Sequence, residues 1–174
     1  MRGMNAVVPY KGIVPRIHPS VYVAPNTSLI GDVHIAEQSS IWFGAVIRGD
    51  VQPIHIGPRT SIQDNTVVHA TIDWWPTVIG ADVTVGHACI IHGCTIADRV
   101  LIGMGSIILD EAEIGSDTVL GAGSLVTART KIPPGVLALG RPAKVIRELT
   151  DDERQSILDS ANRYIAYSRE YVIP

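Results

Sequence analysis

Residues 83–100, VTVGHACIIHGCTIADRV, carry His87 and His92 five apart and Cys89 and Cys94 five apart within a run of aliphatic residues. Imidazole is the commonest metal ligand, and a thiolate is a ligand, a nucleophile or half of a redox pair. The segment could therefore hold a metal, a thiol couple, or neither. Its internal spacing does not decide, because five residues turn a side chain to different faces in a helix, a flat strand and a coil with corners. Further groups with chemical potential lie upstream: Arg48 and Asp50 in AVIRGD, then Gln63, Asp64 and His69 in SIQDNTVVHA. What they can do together depends on the period of the whole chain.

That period is six. Aliphatic residues fall at Ile17, Val23, Leu29, Ile35, Ile41 and Ile47, then at Ile56, Ile62 and Val68, and again at Ile79, Val85 and Ile91. A last run comprises Ile96, Ile102, Ile108, Ile114, Leu120 and Val126. Four places after most of them stands a small or β-branched residue, among them Thr27, Ser39, Ala45, Thr60, Thr66, Cys89, Ser106 and Ser124. Neither a 3.6-residue helix nor a two-sided strand repeats every six residues. A prism of short parallel strands does, each hexad forming one side and three hexads one coil, with aliphatic and small residue both inward. The count predicts an all-β parallel β-helix of about six coils, stacked at roughly 4.8 Å. Extra residues follow Ile47 and Val68, and the unit of Ile91 is one residue short. Counted in threes, all three irregularities fall at the same corner, and loops gathered at one corner are where sites are built.

Beyond Val126 the pattern fades through KIPPGVLALGRPAK, which reads as a turn leaving the prism. TDDERQSILDSANRYIAYSREY then reads as a helix, with Thr150 and Glu153 as a capping box and Ile157, Ala161, Tyr164 and Ile165 as an apolar stripe. The expected organisation is a β-helix domain over 1–148, lead-in and exit turn included, and a helical segment over 149–174 packed back on it.

Composition narrows the function. A length of 174 residues suits one domain with a substantial core. The apolar fraction is 46% against 18% charged, which excludes a disordered chain, and the net charge of −3 gives no nucleic-acid footprint. No apolar run is long enough to span a bilayer, and MRGMNAVVPYKG lacks the apolar core of a signal peptide. With Cys89 and Cys94 as its only cysteines, the chain has no disulfide framework, and a cytoplasmic address is expected.

Stacking the hexads in columns assigns the histidines. The units of Ile47, Val68 and Ile91 share a column, so Arg48, His69 and His92 stack on one outer face, with Asp50 beside them. The units of Ile62 and Val85 share another, so His87 lies over Asp64 on a face turned roughly 120° away. His87 cannot join His69 and His92 around one ion within one chain. Two complementary half-sites on different faces are what a cyclic trimer needs. Three imidazoles shared across such an interface would hold a tetrahedral zinc ion, leaving a fourth position for a water that ionises near neutral pH. Cys89 points inward and Cys94 lies in the shortened unit, so both read as core. His18, His34 and His55 read as solvated.

With these residues in place, the chain resembles the γ-class carbonic anhydrases and their bacterial homologues over nearly its whole length. The resemblance rests on AVIRGD (45–50), SIQDNTVVHA (61–70), VTVGHACIIHGCTI (83–96), LIGMGSIILD (101–110) and GAGSLV (121–126). It implies a left-handed β-helix, a homotrimer with metal at the subunit interfaces, and reversible hydration of CO2. It also implies His69, His87 and His92 as ligands of Zn2+, with Fe2+ or Co2+ as alternatives. By the same resemblance Gln63 bonds the hydroxide or bicarbonate, Arg48, Asp50 and Asp64 form a polar network, and Tyr164 reaches the site from the C-terminal helix.

The sequence departs from the family in one respect. Archaeal members carry a glutamate after the aspartate matched by Asp50 and an acidic loop after the first histidine. Here Val51 takes the first place, and the loop is the short TIDWWPT with Asp73 its only acid. Buffer or Tyr164 then has to carry the proton away, and a low rate is expected. Trp74 and Trp75 either roof the pocket or pack on the helix or a neighbour. Two other functions fit the same scaffold: an acyl-coenzyme A thioesterase using the metal site, and a catalytically silent assembly or binding protein.

Overall fold

A computed structural model describes residues 6–171. At most corners one residue takes the left-handed conformation, and from Asn26 onward these residues recur largely at the hexad interval: Asn26, Gln38, Gly44, Arg59, Asn65, Asp82, Ala88 and so on to Gly135. One such residue reverses the local hand and turns the chain onto the next side. Between corners run two- and three-residue strands, too short to persist alone and held by the coils above and below.

Three faces result. The first contains Ala6–Val8, the leading halves of Ser28–Ile35 and Val46–Ile56, then Val67–His69, Ile90–His92, Ile107–Ile108 and Leu125–Val126. The second begins at Arg16–Ile17, takes in the trailing halves of the two long strands, and runs through Thr77–Ile79, Thr95–Ile96 and Glu113–Ile114 to Lys131–Ile132. The third runs from Tyr22–Val23 through Ser40–Ile41, Ser61–Ile62, Thr84–Val85, Val100–Ile102 and Thr118–Leu120 to Val136–Gly140. Every pairing along a face is parallel, and the register stacks like on like: Leu29, Ile47, Val68, Ile91, Ile108 and Val126 form one continuous inner ladder. All six are fully buried, each burial stabilising the fold by roughly 1.5–3 kcal/mol. The chain is thus a left-handed parallel β-helix of hexapeptide repeats.

Its seven turns exceed the six counted from the aliphatic run. The first turn begins at Ala6–Val8, ahead of Ile17, and the last is built by the segment read as an exit turn. Ala138 occupies the inward position there, fully buried, where the other coils carry a larger aliphatic. The prolines of KIPPG sit at the corner and do not interrupt the ladder. The chain leaves the prism later, through the antiparallel strand Ala143–Glu148.

The small inward residues have a second task. The hydroxyls of Ser39, Thr60, Thr66, Ser106 and Ser124 donate to the carbonyls of Gly57, Gly80, Gly86, Gly103 and Gly121 at 2.6–3.0 Å. Buried corner carbonyls would otherwise lack a partner, which explains why hydroxyl residues alternate with alanine and cysteine at these positions.

The helix α1 (Asp151–Glu170) starts at a capping box formed by Thr150 and Glu153. It lies on the third face, burying Ile157, Ser160 and Ala161, with Ser160 Oγ 3.0 Å from Thr84 Oγ1. Arg59 ties the coil to Asn162 at 2.9 Å. Residues 1–5 and 172–174, included in the expected segments, lie outside the described residues.

Candidate metal centre

His69 and His92 are register partners on adjacent coils of the first face. Each is backed by a carboxylate: His69 Nε2 lies 2.9 Å from Asp50 Oδ1, and His92 Nδ1 lies 3.0 Å from Asp110 Oδ1. A carboxylate only accepts, so those two nitrogens carry the ring protons. The opposite nitrogens, His69 Nδ1 and His92 Nε2, keep their lone pairs and face each other at 3.2 Å. Two acceptors at that distance repel until a cation comes between them. Burial, aided by the Arg48 and His92 charges, lowers the His69 pKa against the pull of Asp50, so the ring is neutral and fit to be a ligand. Burial raises the Asp50 carboxyl, but hydrogen bonds from Arg48 and His69 outweigh it and hold it below the ordinary carboxylate range. The Arg48–Asp50 ion pair lies within the chain.

The other half-site lies where the third face turns into the first. Thr84–Val85 pairs with Ser61–Ile62, which carries Gly86 over Gln63 and His87 over Asp64. His87 Nδ1 lies 2.8 Å from Asp64 Oδ2, leaving Nε2 free on a side chain 48% exposed. Gln63 is buried, and its carboxamide makes no hydrogen bond among the described residues. Helix α1 contributes Tyr164, which lines the same cleft as Asp64 and His87 and stacks edge-on against Trp42 at 5.7 Å. Burial first, and then Asp64 and Tyr167, pushes the Tyr164 phenol above its ordinary pKa despite nearby Arg163. Next to it the Tyr22 hydroxyl is buried without a hydrogen-bond partner among the described residues.

The structure therefore brings Arg48, Asp50, His69 and His92 together, and separately Gln63, Asp64, His87 and Tyr164. Among the described residues no three ligand-type side chains converge within one chain. The donor set nevertheless fits a metal: three imidazoles, each oriented by its own carboxylate, each with one nitrogen free, which is how protein metal ligands are commonly held. Asp110 was not singled out from the sequence. The column count would have found it, because it falls one coil above Gly93, beside His92.

Cys89 and Cys94 are fully buried and unpaired, and burial pushes the Cys94 thiol up to about 12. Neither is placed as a ligand. Trp74 and Trp75 are 55% and 44% exposed, and Trp74 packs beneath the Arg129 guanidinium at 5.7 Å rather than on the helix. His34 and His55 are not simply solvated: their rings stack at 4.8 Å, with Asp32 holding His34.

Coil, corner and divided histidines together define a hexapeptide-repeat β-helix protein, and comparison with known proteins agrees. The family model for the bacterial transferase hexapeptide (six repeats) matches residues 93–128. The chain is 49% identical over 165 residues to the carbonic anhydrase of Geobacillus kaustophilus, covering 95% of this chain and 90% of that protein. It is 47% identical over 156 residues to the mitochondrial gamma carbonic anhydrase 2 of Arabidopsis thaliana, covering 87% of this chain but 56% of that protein, so it spans little more than half of the plant relative. A solved Bacillus cereus structure described as a candidate acetyltransferase superposes with a TM-score of 0.94 at 48% identity, covering 96% of each chain. The chain belongs to the gamma carbonic anhydrase family.

Proposed function

We propose that the protein is a homotrimeric carbonic anhydrase interconverting CO2 and bicarbonate. His69 and His92 of one subunit and His87 of the partner subunit would hold a divalent cation, zinc first, with iron(II) or cobalt(II) as substitutes. The cation supplies Lewis acidity that makes water nucleophilic near neutral pH. The chain's own residues do the rest. Asp50, Asp64 and Asp110 fix the imidazole tautomers, and Arg48 holds Asp50 in place. The Gln63 carboxamide, free of other partners, offers a donor and an acceptor to orient bicarbonate oxygens. Tyr164 and Trp42 wall the cleft with aromatic surface. We place it in the cytoplasm, where its two buried, unpaired thiols would remain reduced.

The observation that carries this reading is the facing pair of histidine lone pairs with a third carboxylate-backed imidazole on a separate face. The test is metal analysis of anaerobically purified protein, with parallel assays of CO2 hydration and acyl-coenzyme A turnover. One metal per protomer is expected, with hydration that disappears in His87→Ala while the oligomer persists. Turnover of acyl-coenzyme A without hydration would move the protein to the thioesterase reading, or to the transferase reading that the name of the Bacillus cereus structure carries. Metal-free protein with neither activity would leave an assembly or binding role.

A further inference from the structure

Hydration of CO2 releases one proton per turnover, and that proton has to leave the site. Val51 stands where the archaeal pattern has a glutamate, and Tyr164, its phenol pushed up chiefly by burial, is a poor carrier. The structure offers another way out, at the corner between the first and second faces. Pairing of the two long strands jumps from Gly31↔Gly49 to Val33↔Ile54, leaving Asp32 opposite the bulge formed by 50–53. A cavity of about 130 Å³ opens there, lined by Asp32, Asp50, Gln52 and Tyr10 among others. Asp32, Asp50 and Gln52 give it polar groups beside Ile13, Val51 and Pro53, and it is large enough for several water molecules, each needing about 10–15 Å³ of such space.

On its far side Asp32 Oδ1 lies 2.8 Å from His34 Nε2. The His34 ring stacks on that of its register partner His55, centroids 4.8 Å apart. Both imidazoles open into a groove of about 600 Å³ on the second face, which Arg16 and His18 also line. The groups facing His34 are thus Asp32 on its own strand, Arg16 one coil below, His55 one coil above, and His18 across the groove. Polar and titratable groups run in series from Asp50, bonded to His69, out to solvent.

Resting on the anhydrase reading, we infer that His34, held by Asp32 and adjoined by His55, is the proton-transfer group of this protein. The O–H bond of the reacting water breaks, and its proton crosses the cavity through water. The Asp32–His34 pair takes it up, passing from a net charge of −1 to neutral, and returns to −1 with Nε2–H again donated to Asp32 when the protonated ring gives one proton to His55 or to buffer in the groove. Asp50 has both carboxylate oxygens engaged, Oδ2 by Arg48 and Oδ1 by His69. It orders the cavity water and does not carry the proton. Imidazole is suited to the task because it exchanges protons near neutral pH.

The test uses the metal-loaded full-length protein in dilute buffer. His34→Ala should lower kcat on the order of tenfold with kcat/KM unchanged, and added imidazole should restore it. His55→Ala should show the same split with a smaller loss. Metal content and oligomer mass should match the unsubstituted protein, and the ring NMR titration of His55 should change when His34 is replaced, as for coupled neighbours. An unchanged kcat in dilute buffer, a parallel fall in kcat/KM, or no rescue by imidazole would each overturn the inference while leaving the anhydrase reading intact. Metal-loaded unsubstituted protein with no hydration activity would overturn both.

Discussion

At the scale of single residues, each histidine owes its ligand character to a carboxylate one coil away. Asp110→Asn keeps the shape but removes the obligate acceptor from His92 Nδ1, freeing the ring to adopt the wrong tautomer. Zinc affinity should fall by about 10- to 100-fold in chelator competition with the oligomer unchanged; unaltered affinity would remove Asp110 from the site. A contrasting prediction concerns Cys94, whose thiol is fully buried and pushed up to about 12. Iodoacetamide at pH 8 should leave it unmodified in the native protein and label it after unfolding, which mass spectrometry resolves. Most of the site was legible in the chain because hexad columns convert spacing into position: His69 over Arg48, His92 over His69, His87 over Asp64. Asp110 and the His34–His55 pair were not. Both nevertheless follow the columns, Asp110 one coil above Gly93, and His34 and His55 each just before the inward aliphatic of its unit, Ile35 and Ile56; neither stands in a motif with the three ligand histidines, so nothing drew attention to them.

At the scale of elements, the helix is the part whose stability is set locally. Thr150 accepts from the Glu153 amide and Glu153 accepts from the Thr150 amide, so Thr150→Ala should cost about 1 kcal/mol of stability in denaturant melts. Glu153 is held down to about 2, by Arg147 first and by the Thr150 amide next. A depressed folded-state pKa contributes stability that is present above the ordinary value of 4.5 and lost as pH falls through about 2. The melting temperature of Glu153→Gln should therefore approach that of the unsubstituted protein across that window, and a constant gap would contradict the assignment. The capping box and helix bounds were readable because they depend on near neighbours. The seventh turn was not, because Ala138 replaces a bulky aliphatic and two prolines look like an exit when they are only a corner.

At the scale of the whole molecule, the first face presents an apolar strip between the two half-sites: Val67 and Ile90 are 39% and 41% exposed, and Met104 over the His87 corner is 59% exposed. A trimer interface would cover this strip, so Ile90→Lys should give protomers that keep their β-sheet circular dichroism, sediment as monomers and lose zinc together with hydration. The fold does not require partners to bury its inner ladders, which is why assembly can be broken without unfolding. The division of ligands between faces supplies the most direct test. His87→Ala and His69→Ala, each inactive alone, are to be mixed in equal amounts, dissociated and reassembled with zinc. Random assembly makes about three trimers in four mixed, each with one intact site of three, so about a quarter of full hydration activity should return. Mixed trimers confirmed by mass but as silent as their parents, or either variant active alone, would show that the metal is not shared between subunits.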